Sequence, residues 1–258
     1  MDVGLSSALN TTLHAIQQIS ALTVQTQNRI STGQHHQGPG ENPLAVSVAK
    51  GLSDRASNLL AVKDTISQGV SKIETATLGL GFIQEILNEL KATTLQYDQA
   101  GSVTEQAQAS ERFDELKAQL DALANDISFG GTNLVSGSPD TLTVTLNEDG
   151  TSSLTVDGTA SDSAALGLNI TDIATIDAAI SQVRATAETL GSEATVLSIR
   201  EEFNDKLINS LEEGEAKLLE ADLNEQAATA LSLETRTQLS VAAIKVTAQS
   251  ERAILQLF

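Results

Sequence analysis

The sequence predicts a mainly α-helical protein, an elongated antiparallel helical bundle or coiled coil with a small β-hairpin region. Three observations lead there. Two long stretches repeat apolar residues every seven positions, aromatic residues make up only 2% of the chain, and alternation with period two is confined to a short middle segment.

From Leu5 to Ile30 there is no Pro or Gly, and Leu9, Leu13, Ile16, Ile19 and Leu22 fall at intervals that trace one helix face. The stretch from Ser31 to Pro43 gathers glycines, prolines and turn formers, so it breaks the helix and reads as a spoke. Next, Leu52, Leu59, Ile66, Ile73, Leu80 and Leu87 recur every seventh residue, with Val62, Gly69, Ala76, Ile83 and Leu90 three positions on. From Leu59 onward this is a coiled-coil seam without a polar member, and a helix from Leu52 to Leu90 would extend nearly 60 Å at about 1.5 Å per residue.

After a loop near Gly101, Phe113, Leu116, Leu120 and Leu123 predict a shorter helix that packs back and ends near Ser128-Phe129-Gly130-Gly131. Leu142, Val144 and Leu146, then Leu154 and Val156, alternate around an Asn/Asp/Gly-rich turn and predict a β-hairpin near 141–158. The heptad returns as Ile176, Val183, Leu190, Leu197, Asn204, Leu211 and Leu218. Asn204 fits either a buried position that sets register or a solvent-facing turn. The last helix, roughly Leu223 to Leu255, is rich in Ala and Leu and runs to Phe258.

This near-palindrome divides into residues 1–42, a helix and spoke; 43–218, a rod region with the hairpin; and 219–258, the second terminal helix. Rod packing is expected from Leu52, Leu59, Ile66, Ile73, Leu80, Leu87, Ile176, Val183, Leu190, Leu197, Leu211 and Leu218. The terminal segments lack obvious partners within the monomer, so part of their apolar surface is expected to be covered only on assembly. The positions concerned are Leu5, Leu9, Leu13, Ile16 and Ile19 at one end, and Leu239, Ile244, Ile254, Leu255, Leu257 and Phe258 at the other.

Composition narrows the function classes. With 34 acidic residues against 15 basic ones, the net charge of −19 opposes the basic surfaces that bind nucleic acid or anionic membranes. Scarce aromatic material disfavours a small-molecule pocket, hence an enzyme, and no cofactor is expected. Without cysteine there is no disulfide, thiol nucleophile or thiolate metal site. The start carries no secretory signal pattern, and no apolar run is long enough to span a bilayer, so membrane insertion is not expected.

The candidate chemical motifs favour bland readings. His35 and His36 are neighbours in a loop without further ligands, and His14 lies off the main apolar face. The segment Asn147-Glu148-Asp149-Gly150-Thr151 lacks the ligand spacing of a calcium loop. Glu201-Glu202 and Glu212-Glu213 read as solvated helix faces, and Gly79 and Gly81 as sites of close helix packing. The sequons at Asn10 and Asn169 are too short a pattern to assign a glycan.

Several stretches carry a family resemblance. Arg29-Ile30-Ser31-Thr32-Gly33, Asn42-Pro43-Leu44-Ala45-Val46, Ala76-Thr77-Leu78-Gly79-Leu80-Gly81-Phe82-Ile83, Ile127-Ser128-Phe129-Gly130-Gly131-Thr132-Asn133-Leu134 and Leu218-Leu219-Glu220-Ala221-Asp222-Leu223-Asn224-Glu225 occur in this order. Together they resemble bacterial flagellin over most of the chain, with Gly130 where that family usually has Asn. The resemblance implies a homopolymer in which the terminal helices form an inner tube and the rods an outer tube. It also implies an extracellular location in the flagellum, export without a cleaved signal peptide through the type III apparatus, an export chaperone, and filament cap and hook-filament junction proteins as partners. It matches Glu89 and Thr93 to an Arg and a Leu favoured by the flagellin-sensing Toll-like receptor, which implies receptor evasion. A hook-filament junction protein is the nearest rival, and an intracellular coiled-coil scaffold a more distant one.

Overall fold

Every long helix after the first begins at a side chain suited to cap it. The computed structural model describes residues 2–36, 38 and 40–255, with side chains described for 10–36, 38 and 40–250. Among these are five helices, α1 (Asp2–Thr32), α2 (Pro43–Gln99), α3 (Val103–Asp126), α4 (Ile173–Leu219) and α5 (Leu223–Leu255), and two strands, β1 (Thr141–Thr145) and β2 (Ser153–Asp157). Asn42 Oδ1 accepts from the Ala45 amide at 3.1 Å, with Pro43 at the first helical position, where its missing N–H costs nothing. Ser102 Oγ accepts from Glu105 N while the Glu105 carboxylate reaches back to Gly101 N. Asp172 and Asp222 accept from amides in the first turns of α4 and α5. Gly33, at φ +70°, closes α1 with a backbone bond to Arg29 O.

The chain forms two compact units, residues 1–54 with 211–258 and residues 55–210. In the first, α1 packs on α5. The two helix breaks of this unit are joined by backbone pairing: His35 N donates to Leu219 O at 2.6 Å and Ala221 N to Gly33 O at 2.9 Å, around a Gln34–Glu220 bridge. Leu52 approaches the backbone of Gly214. Leu211 is buried, Leu52 and Leu218 are half-buried, and Asn42 and Glu220 lie in the two helix breaks.

In the second unit, the core is built by α2, α3, α4 and the hairpin. It includes Leu59, Ile66, Ile73, Leu80 and Leu87 of α2, Phe113 and Leu120 of α3, and Ile176, Val183, Leu190 and Leu197 of α4, all buried. Here α4 runs antiparallel to α2: Lys63 pairs with Asp205 at 2.7 Å and Lys91 with Asp177 at 2.5 Å, positions four heptads apart on both helices. The Asp205 hydrogen bond raises the Lys63 ammonium above its ordinary range. Asn204 is buried, and its Nδ2 has no hydrogen-bond partner.

The hairpin pairs Leu142 with Val156 and Val144 with Leu154. Its turn folds around Asn147, whose Nδ2 donates to Thr151 Oγ1 and whose Oδ1 accepts from Ser152 N. The buried face of β1 lies on α2, where a Cβ on Gly69 would come within 2.6 Å of Val144 Cγ2. The turn after α3 holds Gly130 at φ +57° and Gly131 at φ +80°. Asn is the other residue that tolerates this left-handed region, so the Gly130 departure from the family pattern preserves the backbone requirement.

Of the two glycines beside Leu80, Gly79 allows close packing and Gly81 does not. A Cβ at Gly79 would fall 2.3 Å from Ile127 Cδ1 and 2.5 Å from its Cγ1, whereas one at Gly81 would meet nothing within 4 Å. Ile127 is buried and β-branched, so it has little room to yield. Overpacking costs about 1–3 kcal/mol, against roughly 1 kcal/mol gained when Ala replaces a helical Gly. Gly79→Ala is therefore expected to lower the denaturant midpoint of the second unit and Gly81→Ala to raise it; a Gly79→Ala midpoint at or above the parent's contradicts this packing.

Candidate assembly surface

Among the described residues, the first unit buries few large side chains. Leu211 of α4 and Leu233 of α5 are buried, with Ala49 and the polar Thr26 and Gln226. On α1, Ile16 and Ile19 are half-buried, as is Ile244 on α5. The same pair of helices leaves other large apolar side chains in solvent: Leu13 is 50% exposed, Leu22 48%, Val24 54%, Leu231 67%, Leu239 65% and Val246 62%. Burying the remaining exposed area of one such Leu or Val is worth about 1–2 kcal/mol, so a surface carrying several of them is suited to association.

The residues expected to be covered on assembly therefore fall into groups. Leu13 and Leu239 are exposed, while Ile16, Ile19 and Ile244 are turned partly inward. Leu5, Leu9, Ile254 and Leu255 lie on helical backbone whose side chains are not among those described, and Leu257 and Phe258 lie outside the described residues. Leu22, Val24, Leu231 and Val246 lie outside the positions expected from the sequence to be covered on assembly. The apolar stripe of α1 identifies a helix, but which edge of it α5 covers depends on the pairing of two helices almost two hundred residues apart.

Electrostatics adds a polar cluster beside the break. Glu41 Oε1 accepts from Gln25 Nε2 at 3.1 Å, and its Oε2 lies 4.0 Å from Arg29 and from His36 Nδ1. His35 and His36 meet edge to face with ring nitrogens 3.3 Å apart. No group of three or more potential metal ligands occurs among the described residues, and no described helix is long and apolar enough to cross a membrane.

In the second unit Glu89 is exposed and forms an ion pair with Arg112. Thr93, in contrast, is only 1% exposed, with its hydroxyl bonded to Glu89 O at 3.0 Å. Thr93 thus offers a second protein almost no side-chain surface.

Residues 5–140 match the family model of the bacterial flagellin N-terminal helical region. The chain is 32% identical over 244 residues to flagellin FljK of Caulobacter vibrioides, covering 90% of this chain and 89% of that protein. It is 28% identical over 276 residues to a flagellin of Brucella melitensis, covering 98% and 97% of the two. A crystal structure of Bacillus cereus flagellin aligns with a TM-score of 0.42 at 17% identity, over 57% of this chain and 88% of that one.

Proposed function

The chain belongs to the bacterial flagellin family, whose members are structural subunits of the flagellum, and from that premise we propose that it polymerises into the filament that drives swimming. The observation that carries this reading is the exposed apolar surface on α1 and α5, centred on Leu13, Leu22, Leu231, Leu239 and Val246. In the proposed assembly residues 1–42 and 219–258 line an inner tube and residues 43–218 form an outer one. Apolar side chains left open in the monomer are covered by neighbouring subunits. The subunit leaves the cell through the type III apparatus without a cleaved signal peptide, is guarded by an export chaperone, and adds between the junction proteins and the cap. Its role is structural and not catalytic. Weak recognition by the flagellin-sensing Toll-like receptor belongs to the same proposal, because a carboxylate at position 89 meets a receptor surface suited to Arg with repulsion.

Electron microscopy of purified monomer added to sheared filament seeds tests the reading. Continuous micrometre-long growth is the expected outcome. Addition of a few subunits that then stop supports a junction protein instead, and no addition at all removes the assembly role.

A further inference from the structure

We propose that the α2/α4 seam of the second unit selects its register through polar groups: Asn204 together with the Lys63–Asp205 and Lys91–Asp177 pairs excludes heptad-shifted pairings that the apolar seam alone accepts. This concerns the second unit by itself and does not rest on the filament reading. The seam is degenerate. Leu59, Ile66, Ile73, Leu80 and Leu87 repeat every seven residues on one helix, and Ile176, Val183, Leu190 and Leu197 on the other, so a slip of one heptad again sets apolar against apolar.

The charges do not repeat. In the observed register both Lys residues meet an Asp. A slip of seven residues in one direction sets Asp177 against Asp98 and Lys91 against Arg184, with Lys63 and Glu212 as the compensating opposite pair. The opposite slip sets Asp177 against Gln84 and Asp205 against Ala56, leaving both carboxylates without a cation. Exposed pairs contribute little stability one at a time, but the difference between attraction and repulsion decides between registers that are otherwise equal. Asn204 adds to this. It is 1% exposed with an unpartnered Nδ2, one heptad beyond Leu197, which packs at Gly69. A polar residue kept at such a position gives up stability and gains specificity.

The chain contains no cysteine, so Ser67→Cys and Ser181→Cys, both at exposed positions, accept spin labels without competition. The labels sit about 30 Å apart along the helix axes, and a slip of one heptad changes that spacing by about 10 Å. The parent is expected to give one distance. The variant Lys63→Ala/Lys91→Ala/Asn204→Leu is expected to add a second population displaced by about 10 Å. A single unshifted distance overturns the proposal and assigns the register to the hairpin, through Val144 on Gly69. The charge-reversed variant Lys63→Asp/Asp205→Lys/Lys91→Asp/Asp177→Lys retains Asn204 and both opposite pairs, so it is expected to keep the single native distance. A shifted population in that variant overturns the proposal as well.

Discussion

Deleting residues 239–258 is expected to abolish filament growth while leaving the second unit folded. The truncation removes Leu239, Val241 and Val246, all exposed in the monomer, and the half-buried Ile244. It spares Leu233 and Gln226, the buried contacts at the start of α5, and the whole of residues 55–210, which carry their own core. If the remaining exposed area of these three side chains is buried on assembly, their loss removes about 2.5–5 kcal/mol of association free energy. At about 1.4 kcal/mol per factor of ten, subunit affinity falls by roughly a hundredfold to a few thousandfold. Seeded elongation followed by light scattering and microscopy is expected to fall below detection, while the denaturant midpoint of the second unit stays unchanged. Elongation within tenfold of the parent rate sinks the assembly surface described above. Loss of the second unit's transition instead shows that the truncation acts through folding.

The parts of the structure that are legible in the sequence are those governed by local periodicity. The heptads announce α2 and α4, whereas the caps at Asn42, Ser102, Asp172 and Asp222 emerge only in the structure, each where a chain entering a helix needs an acceptor for free amides. The hairpin followed from alternation because its strands bury one face. What the sequence concealed depends on groups that meet only after folding. Gly69 reads as a weak member of a heptad series, yet it is where Val144 rests on α2. Leu13 and Ile16 belong to one apolar stripe, but only Ile16 is partly covered. Thr93 reads as a surface substitution on the rod, yet it is buried with its hydroxyl returned to the helix backbone.

Asn133 is the strongest instance, and its replacement is expected to cost the second unit about 2–4 kcal/mol. In sequence it is one polar residue after a Gly-Gly-Thr turn. In the structure its Nδ2 donates to the carbonyls of Ala124 and Asn125 at the end of α3, at 2.9 and 3.1 Å. Its Oδ1 accepts from the amides of Val135 and Ser136, both at 2.9 Å. One side chain thereby satisfies the last carbonyls of a helix and the amides that lead buried Leu134 and Val135 into the core. Each such bond contributes roughly 0.5–1.5 kcal/mol net, and partial solvent access keeps four of them from reaching the upper sum. Asn133→Ala leaves both ends of the turn without side-chain partners, and thermal unfolding is expected to shift down by roughly 5–15 °C for a unit of this size. Asn133→Asp keeps the acceptor for the two amides but loses the donor and turns a carboxylate toward two carbonyls. It is expected to destabilise as well, with the Val135 and Ser136 amides retaining hydrogen-exchange protection that Asn133→Ala removes. A loss under about 0.5 kcal/mol for Asn133→Ala would place the stability of this turn in its backbone pairs, Asp140 N to Asn133 O and Thr159 N to Leu134 O, which the substitution leaves in place.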